Sequence, residues 1–134
     1  MLVAESQIQQ WLSHSFPDLV ERSLVIRIVE NAESQTLNNT YRAQDKPTNI
    51  LSFPYEAMTE HDQSSHLGDL VIALSVLIDE AESSGKSLED HLAHLLIHGV
   101  LHLLGYDHEK QDEATVMEKK EVELLANLAI ANPY

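Results

Sequence analysis

Residues 87–110, SLEDHLAHLLIHGVLHLLGYDHEK, constrain the fold of this chain more than any other stretch. Leu92, Leu95, Leu96, Ile97, Val100, Leu101, Leu103 and Leu104 cover nearly the whole circumference of the helix that this stretch predicts. A helix apolar on every side is normally buried, because no face of it belongs in water. The rest of the chain is therefore expected to wrap around it. Ser87 with Asp90 three residues later is a helix-start signature, the side chain of the first accepting from the backbone N–H of the second. Gly105 suits the far end, since glycine takes the left-handed conformation there at little steric cost.

The exceptions to the apolar pattern are histidines, spaced His98-x-x-x-His102-x-x-Gly105-x-x-His108. His98 and His102 lie four apart and so project from one helix face, one above the other. A third ligand further along a straight helix would have risen too far to converge with them. A turn at Gly105, through Tyr106 and Asp107, can bring His108 back to the same point. Three neutral imidazoles suit zinc, with nickel an alternative, at about 2.0–2.1 Å, and leave one position of a tetrahedral ion open. A lone histidine would read as an ordinary core or surface residue; three at this spacing with a glycine at the turn read as ligands of one metal ion. His91 and His94 precede the pair on roughly the same side, and three roles are open to them: extra ligands, supporting groups, or the wet end of the stripe.

With 134 residues and 43% hydrophobic content, the chain is expected to form a single domain over 1–134 with a real core. It has no apolar run long enough to span a membrane and no basic-then-apolar start of the secretory kind. It has no cysteine, so any metal must be held by His, Asp or Glu, which fits a reducing cytoplasm. The net charge of −14 argues against non-specific attachment to nucleic acid. It leaves room for a local basic cleft, because exposed charges are screened beyond about 8 Å at physiological salt. A protein partner or larger assembly would then have to supply any long-range attraction to a nucleic acid.

Patterning predicts an α+β fold: a small mixed sheet packed with helices around the buried metal-binding helix. A first amphipathic helix runs over 6–19 and stops near Pro17, followed by a strand at 24–29. A short helix covers 31–41, and a turn cluster around Pro47 covers 44–49. A second strand covers 50–55, where Pro54 implies a sheet edge or early termination. Residues 57–65 read as a polar loop carrying His61. A third strand at 67–73 holds Asp69 in an apolar context, and a helix over 74–84 ends at Gly85. An amphipathic helix over 112–131 closes the chain.

Zincin-type metalloproteases place a glutamate directly after the first histidine as general base. Here that position is Gly99, so a peptidase of that mechanism would lack its proton acceptor. Glycine inside a helix costs about 1 kcal/mol relative to alanine, which points to a need for space, if only for close packing. Asp69 and Asp107 could orient a ligand histidine through its second nitrogen, and Asp107 could equally be a turn residue.

Three blocks, LNNTYRAQDKPTNILSFP at 37–54, LGDLVI at 67–72 and HGVLHLLGYDH at 98–108, resemble the bacterial YbeY family of endoribonucleases. The blocks stand in the family's order and cover about half of the chain. The resemblance implies a metal-dependent, single-strand-specific endoribonuclease acting in 16S ribosomal RNA 3′-end maturation and ribosome quality control. It implies His98, His102 and His108 as the metal ligands and Arg42 as the functionally required arginine. Single-stranded RNA and the ribosome, or a ribosome-associated protein, are the implied partners; DNA is not. An arginine is permanently cationic and presents a fork of donors matched to a phosphate. Two other readings compete: a non-catalytic ribosome-associated factor with a structural metal, and a metallohydrolase of peptides or small molecules. The strong acidity and absent base favour the first of these, the histidine spacing alone the second, and Gly99 and the Arg42 block count against the second.

Overall fold

The computed structural model describes residues 3–56 and 65–134. The polar loop expected at 57–65, with His61, falls outside the described residues except for Ser65. Among the described residues, five helices and three strands follow in the order α1 (Glu5–Ser15), β1 (Ser23–Val29), α2 (Asn31–Arg42), β2 (Ile50–Pro54), β3 (His66–Ala73), α3 (Leu74–Ser84), α4 (Leu88–Leu103) and α5 (Gln111–Asn127), with a 3-10 turn at Pro17–Leu19 after α1. The architecture is α+β, as the pattern predicts.

The sheet is mixed, in the order β1-β3-β2: β3 runs parallel to β1 and antiparallel to β2. Pro54 therefore ends a strand at the sheet's edge among the described residues, where its missing N–H costs no ladder bond. Alternation along β3 assigns its two faces. Leu70 and Ile72 turn into the main core with α4, and Val71 joins Val29, Leu51 and the flanking Leu37 and Phe53 on the α2 side.

Helix α4 lies at the centre, in contact with β2, β3, α1, α3 and α5. Leu92, Leu96, Ile97, Val100 and Leu101 are almost completely removed from water. Burying each such side chain contributes about 1.5–3 kcal/mol, so this helix anchors the domain. Its start is the expected cap, with Ser87 Oγ accepting from Asp90 N at 3.1 Å. Its end is set by Gly105, at φ 101°, where Tyr106 N donates to Leu101 O and Gly105 N to His102 O, both at 3.0 Å. Those bonds satisfy carbonyls that a helix end otherwise leaves orphaned.

Gly99 faces the sheet. A Cβ built on it would stand 2.8 Å from both Ile50 Cδ1 and Leu70 Cδ2, and its carbonyl accepts from Ser52 Oγ at 3.3 Å. The glycine lets α4 settle onto β2 and β3, and a carboxylate at this position would be aimed into the sheet.

The last helix is shorter than its amphipathic pattern suggests. It ends at Asn127, and Ala129 adopts a left-handed conformation (φ 61°) while Ile130 N bonds back to Leu125 O at 2.9 Å. The first helix ends at Ser15, next to the expected stop near Pro17, and residues Pro17–Leu19 form the 3-10 turn.

Candidate metal centre

His98 and His102 leave α4 on one side, half-buried, and the Gly105 turn returns exposed His108 to them. One ring nitrogen from each of the three lies within 4.8 Å of the others. The Nε2 atoms of His98 and His102 are 3.2 Å apart. Ligands about 2.0–2.1 Å from a tetrahedral centre stand roughly 3.3–3.4 Å from one another, so this pair already has the spacing of a chelate. Ring centroids of His108 lie 5.5 Å from His98 and 4.9 Å from His102, which closes the triangle. The three imidazoles could hold one metal ion.

The proton inventory agrees. Burial, followed by the neighbouring His98 and His108, lowers His102 from 6.5 to about 4, so it is a neutral donor at physiological pH. The opposite nitrogen of His98, Nδ1, meets Oε1 of Glu121 in a very short contact. Glu121 is fully buried on α5. Its other oxygen accepts from the Tyr134 hydroxyl, again at very short range. Tyr134 in turn lies 3.3 Å from His94 Nε2. One assignment satisfies all of these contacts: His94 Nε2–H to the phenol oxygen, the phenol O–H to Glu121, and His98 Nδ1–H to Glu121. It leaves the His98 Nε2 lone pair directed at the space shared with His102. Burial alone would push the Glu121 carboxyl up, but the hydrogen bonds from His98 and Tyr134 outweigh it and hold it below the usual range. The Tyr134 phenol is held above its ordinary value, by desolvation of the hydroxyl and then by the carboxylate it donates to.

Two of the supporting carboxylates weighed from sequence act elsewhere. Asp69 Oδ1 pairs with His66 Nε2 at 2.6 Å, whose Nδ1 meets Ser23 Oγ at 2.9 Å. Asp107 accepts from the backbone N–H of His108 at 2.7 Å, shaping the turn rather than holding the ring. His91 is occupied by Glu80 of α3 at 2.9 Å, a carboxylate also bound by Asn49. His94, lowered to about 4 chiefly by burial, belongs to the Glu121–Tyr134 group. Glu121 itself went unnoticed in the sequence. The signal was available: it shares a stripe with Met117, Leu124 and Leu125, all buried, so an acid there must answer a partner.

Arg42 is the exposed last residue of α2. Its guanidinium donates to Ser52 O at 3.4 Å, and the Ser52 hydroxyl donates to the carbonyl of Gly99, the neighbour of His98. The turn after Arg42 is pinned to α2 by buried side chains: Asn38 Nδ2 donates to Lys46 O at 2.8 Å, and Ser34 Oγ to Thr48 O at 3.0 Å.

The solution structure of TM1509 from Thermotoga maritima shares the fold, with a TM-score of 0.54 and 23% identity over 95% of this chain and 87% of that one. Among the described residues no helix is long and apolar enough to cross a membrane. The family model described as Endoribonuclease YbeY matches residues 3–129. With nearly its whole length so matched, the chain belongs to the YbeY family of rRNA-processing endoribonucleases.

Proposed function

We propose that this protein is a metal-dependent, single-strand-specific endoribonuclease that acts in 3′-end maturation of 16S ribosomal RNA and in ribosome quality control. The observation that carries the reading is the convergence of His98, His102 and His108 at the end of α4, with Arg42 linked through Ser52 to the backbone beside His98. The three histidines hold one zinc ion, or nickel in its place. When bound, the ion supplies Lewis acidity at the scissile phosphate.

Arg42 handles the phosphate. Its single long hydrogen bond to Ser52 O leaves most of its donors facing solvent, ready for the oxygens of a phosphodiester. His98 and His102 are kept in place by a buried helix, so their geometry needs no rearrangement when substrate arrives. The whole of 1–134 acts as one domain, in the cytoplasm. Its charge of −14 opposes long-range attraction to RNA, so a ribosomal or ribosome-associated protein delivers it to its substrate.

The test is cleavage of a single-stranded RNA by the wild type, His102→Ala and Arg42→Ala, with metal content measured for each. Both variants should lose cleavage, and only His102→Ala should lose metal. Equal cleavage by all three would refute the reading and favour a factor that binds RNA without cutting it. Loss of metal in Arg42→Ala would refute the phosphate role.

A further inference from the structure

Helix α5 places a fully buried glutamate among Met117, Leu124 and Leu125. A buried carboxylate is costly, and well-packed apolar side chains often replace one without loss of stability. Among the described residues its partners are His98, Tyr134 and, at 3.9 Å, His94. Tyr134 reaches it by an unusual route. After α5 the chain turns back at left-handed Ala129, and a bond from Tyr134 N to Asn132 Oδ1 at 2.8 Å shapes the end of the segment. Tyr134 as a whole remains 59% exposed, yet its hydroxyl is directed inward to the carboxylate. A surface tyrosine that served only to cover α5 would present its ring to the protein and its hydroxyl to water.

We infer that Glu121 and Tyr134 are positioning residues of the three-histidine centre: the carboxylate fixes the ring and tautomer of His98 through Nδ1, and the phenol fixes the carboxylate. The inference rests on the reading of His98, His102 and His108 as metal ligands, and it is independent of what the metal acts on. Ligating histidines are commonly held in this way by an outer carboxylate, whose loss weakens metal affinity by about 10–100-fold. In this chain the hold is doubled, because a residue from beyond the last helix braces the brace.

The experiment uses Glu121→Gln, Tyr134→Phe, His102→Ala and the wild type. Zn2+ affinity is read by competition with a chromogenic chelator, the Co2+ spectrum reports ligand geometry, and the melting temperature of each metal-free protein reports folding. Glu121→Gln is near-isosteric and should lose about 10–100-fold in Zn2+ affinity. Tyr134→Phe should fall between it and the wild type, and both should shift the Co2+ absorption bands. Their metal-free melting temperatures should stay within about 4 °C of the wild type. Wild-type affinity and spectrum in both variants would overturn the inference. So would melting temperatures that fall in step with affinity, which would make the pair a plain structural brace. If Glu121→Gln fails to fold, Tyr134→Phe decides, since it removes one hydroxyl from a residue that stays exposed. If the wild type binds neither ion, or His102→Ala binds as well as it, the three-histidine reading itself fails and the inference falls with it.

Discussion

Gly99→Ala sets two effects of known size against each other. Alanine is the better helix former by about 1 kcal/mol, so at an exposed helical site the change would stabilise. Here the new methyl would stand 2.8 Å from Ile50 Cδ1 and Leu70 Cδ2, on two different strands. Ordinary carbon–carbon contact lies near 3.5–4.0 Å, so each tip, or the helix, must withdraw by roughly 0.7 Å or more. Leu70 is wholly buried and closely surrounded, which leaves it little room to turn. Overpacking of this kind costs about 1–3 kcal/mol. The expected net effect is a loss of up to about 2 kcal/mol, measured by urea unfolding of the metal-free proteins. Because Gly99 adjoins His98 and its carbonyl holds Ser52, the same displacement should weaken Zn2+ binding. A variant more stable than the wild type by the full helix-propensity gain, with unchanged metal affinity, would refute the packing account of this glycine.

Two further outcomes follow from the same structure. His94 and His102 titrate at about 4 in the folded chain against 6.5 ordinarily. Between those values the unfolded chain takes up protons that the folded one refuses, so the stability they provide is whole above 6.5 and drains as the pH falls toward 4. Because the acidic chain also sheds self-repulsion on acidification, the difference in urea midpoint between the wild type and His102→Gln isolates the effect. That difference should narrow from pH 7 to pH 4.5, and a constant difference would refute it. Ala43 and Ala129 both hold left-handed backbone after helices, at φ 56° and 61°. Relief of that strain outweighs the greater chain entropy of glycine, so Ala43→Gly and Ala129→Gly should each stabilise by about 0.5–1 kcal/mol in urea unfolding. Destabilisation would show that their methyl groups make contacts worth more than the strain.

What was legible in the sequence was whatever is encoded locally. The all-round apolar run of α4, the Ser87 cap and the Gly105 exit are short-range signals, and they set the core, the metal helix and its turn. Pro54 marked the edge strand by the same logic. What escaped was which side chain meets which across the fold. Asp69 stood out as an acid in an apolar strand, yet its partner came from three residues away, His66, with Ser23 behind it. Glu121 looked like one of several acids on an amphipathic helix, because nothing local says that α5 turns that stripe toward His98. The parallel pairing of β1 with β3, across an intervening helix and strand, is equally non-local. The end of α5 was misplaced for a simpler reason: amphipathic spacing continues past the point where the backbone leaves the helix.

The three histidines stand on unequal footing. His98 and His102 ride on the most deeply packed helix of the domain, while His108 stands exposed beyond the glycine turn. A ligand set built this way would have two points on the core helix and one on the turn. Were an ion held there, adjustment of the turn alone would move His108, whereas His98 and His102 are tied to the backbone of the buried helix. Gly105 would then be the residue that divides the two kinds of ligand.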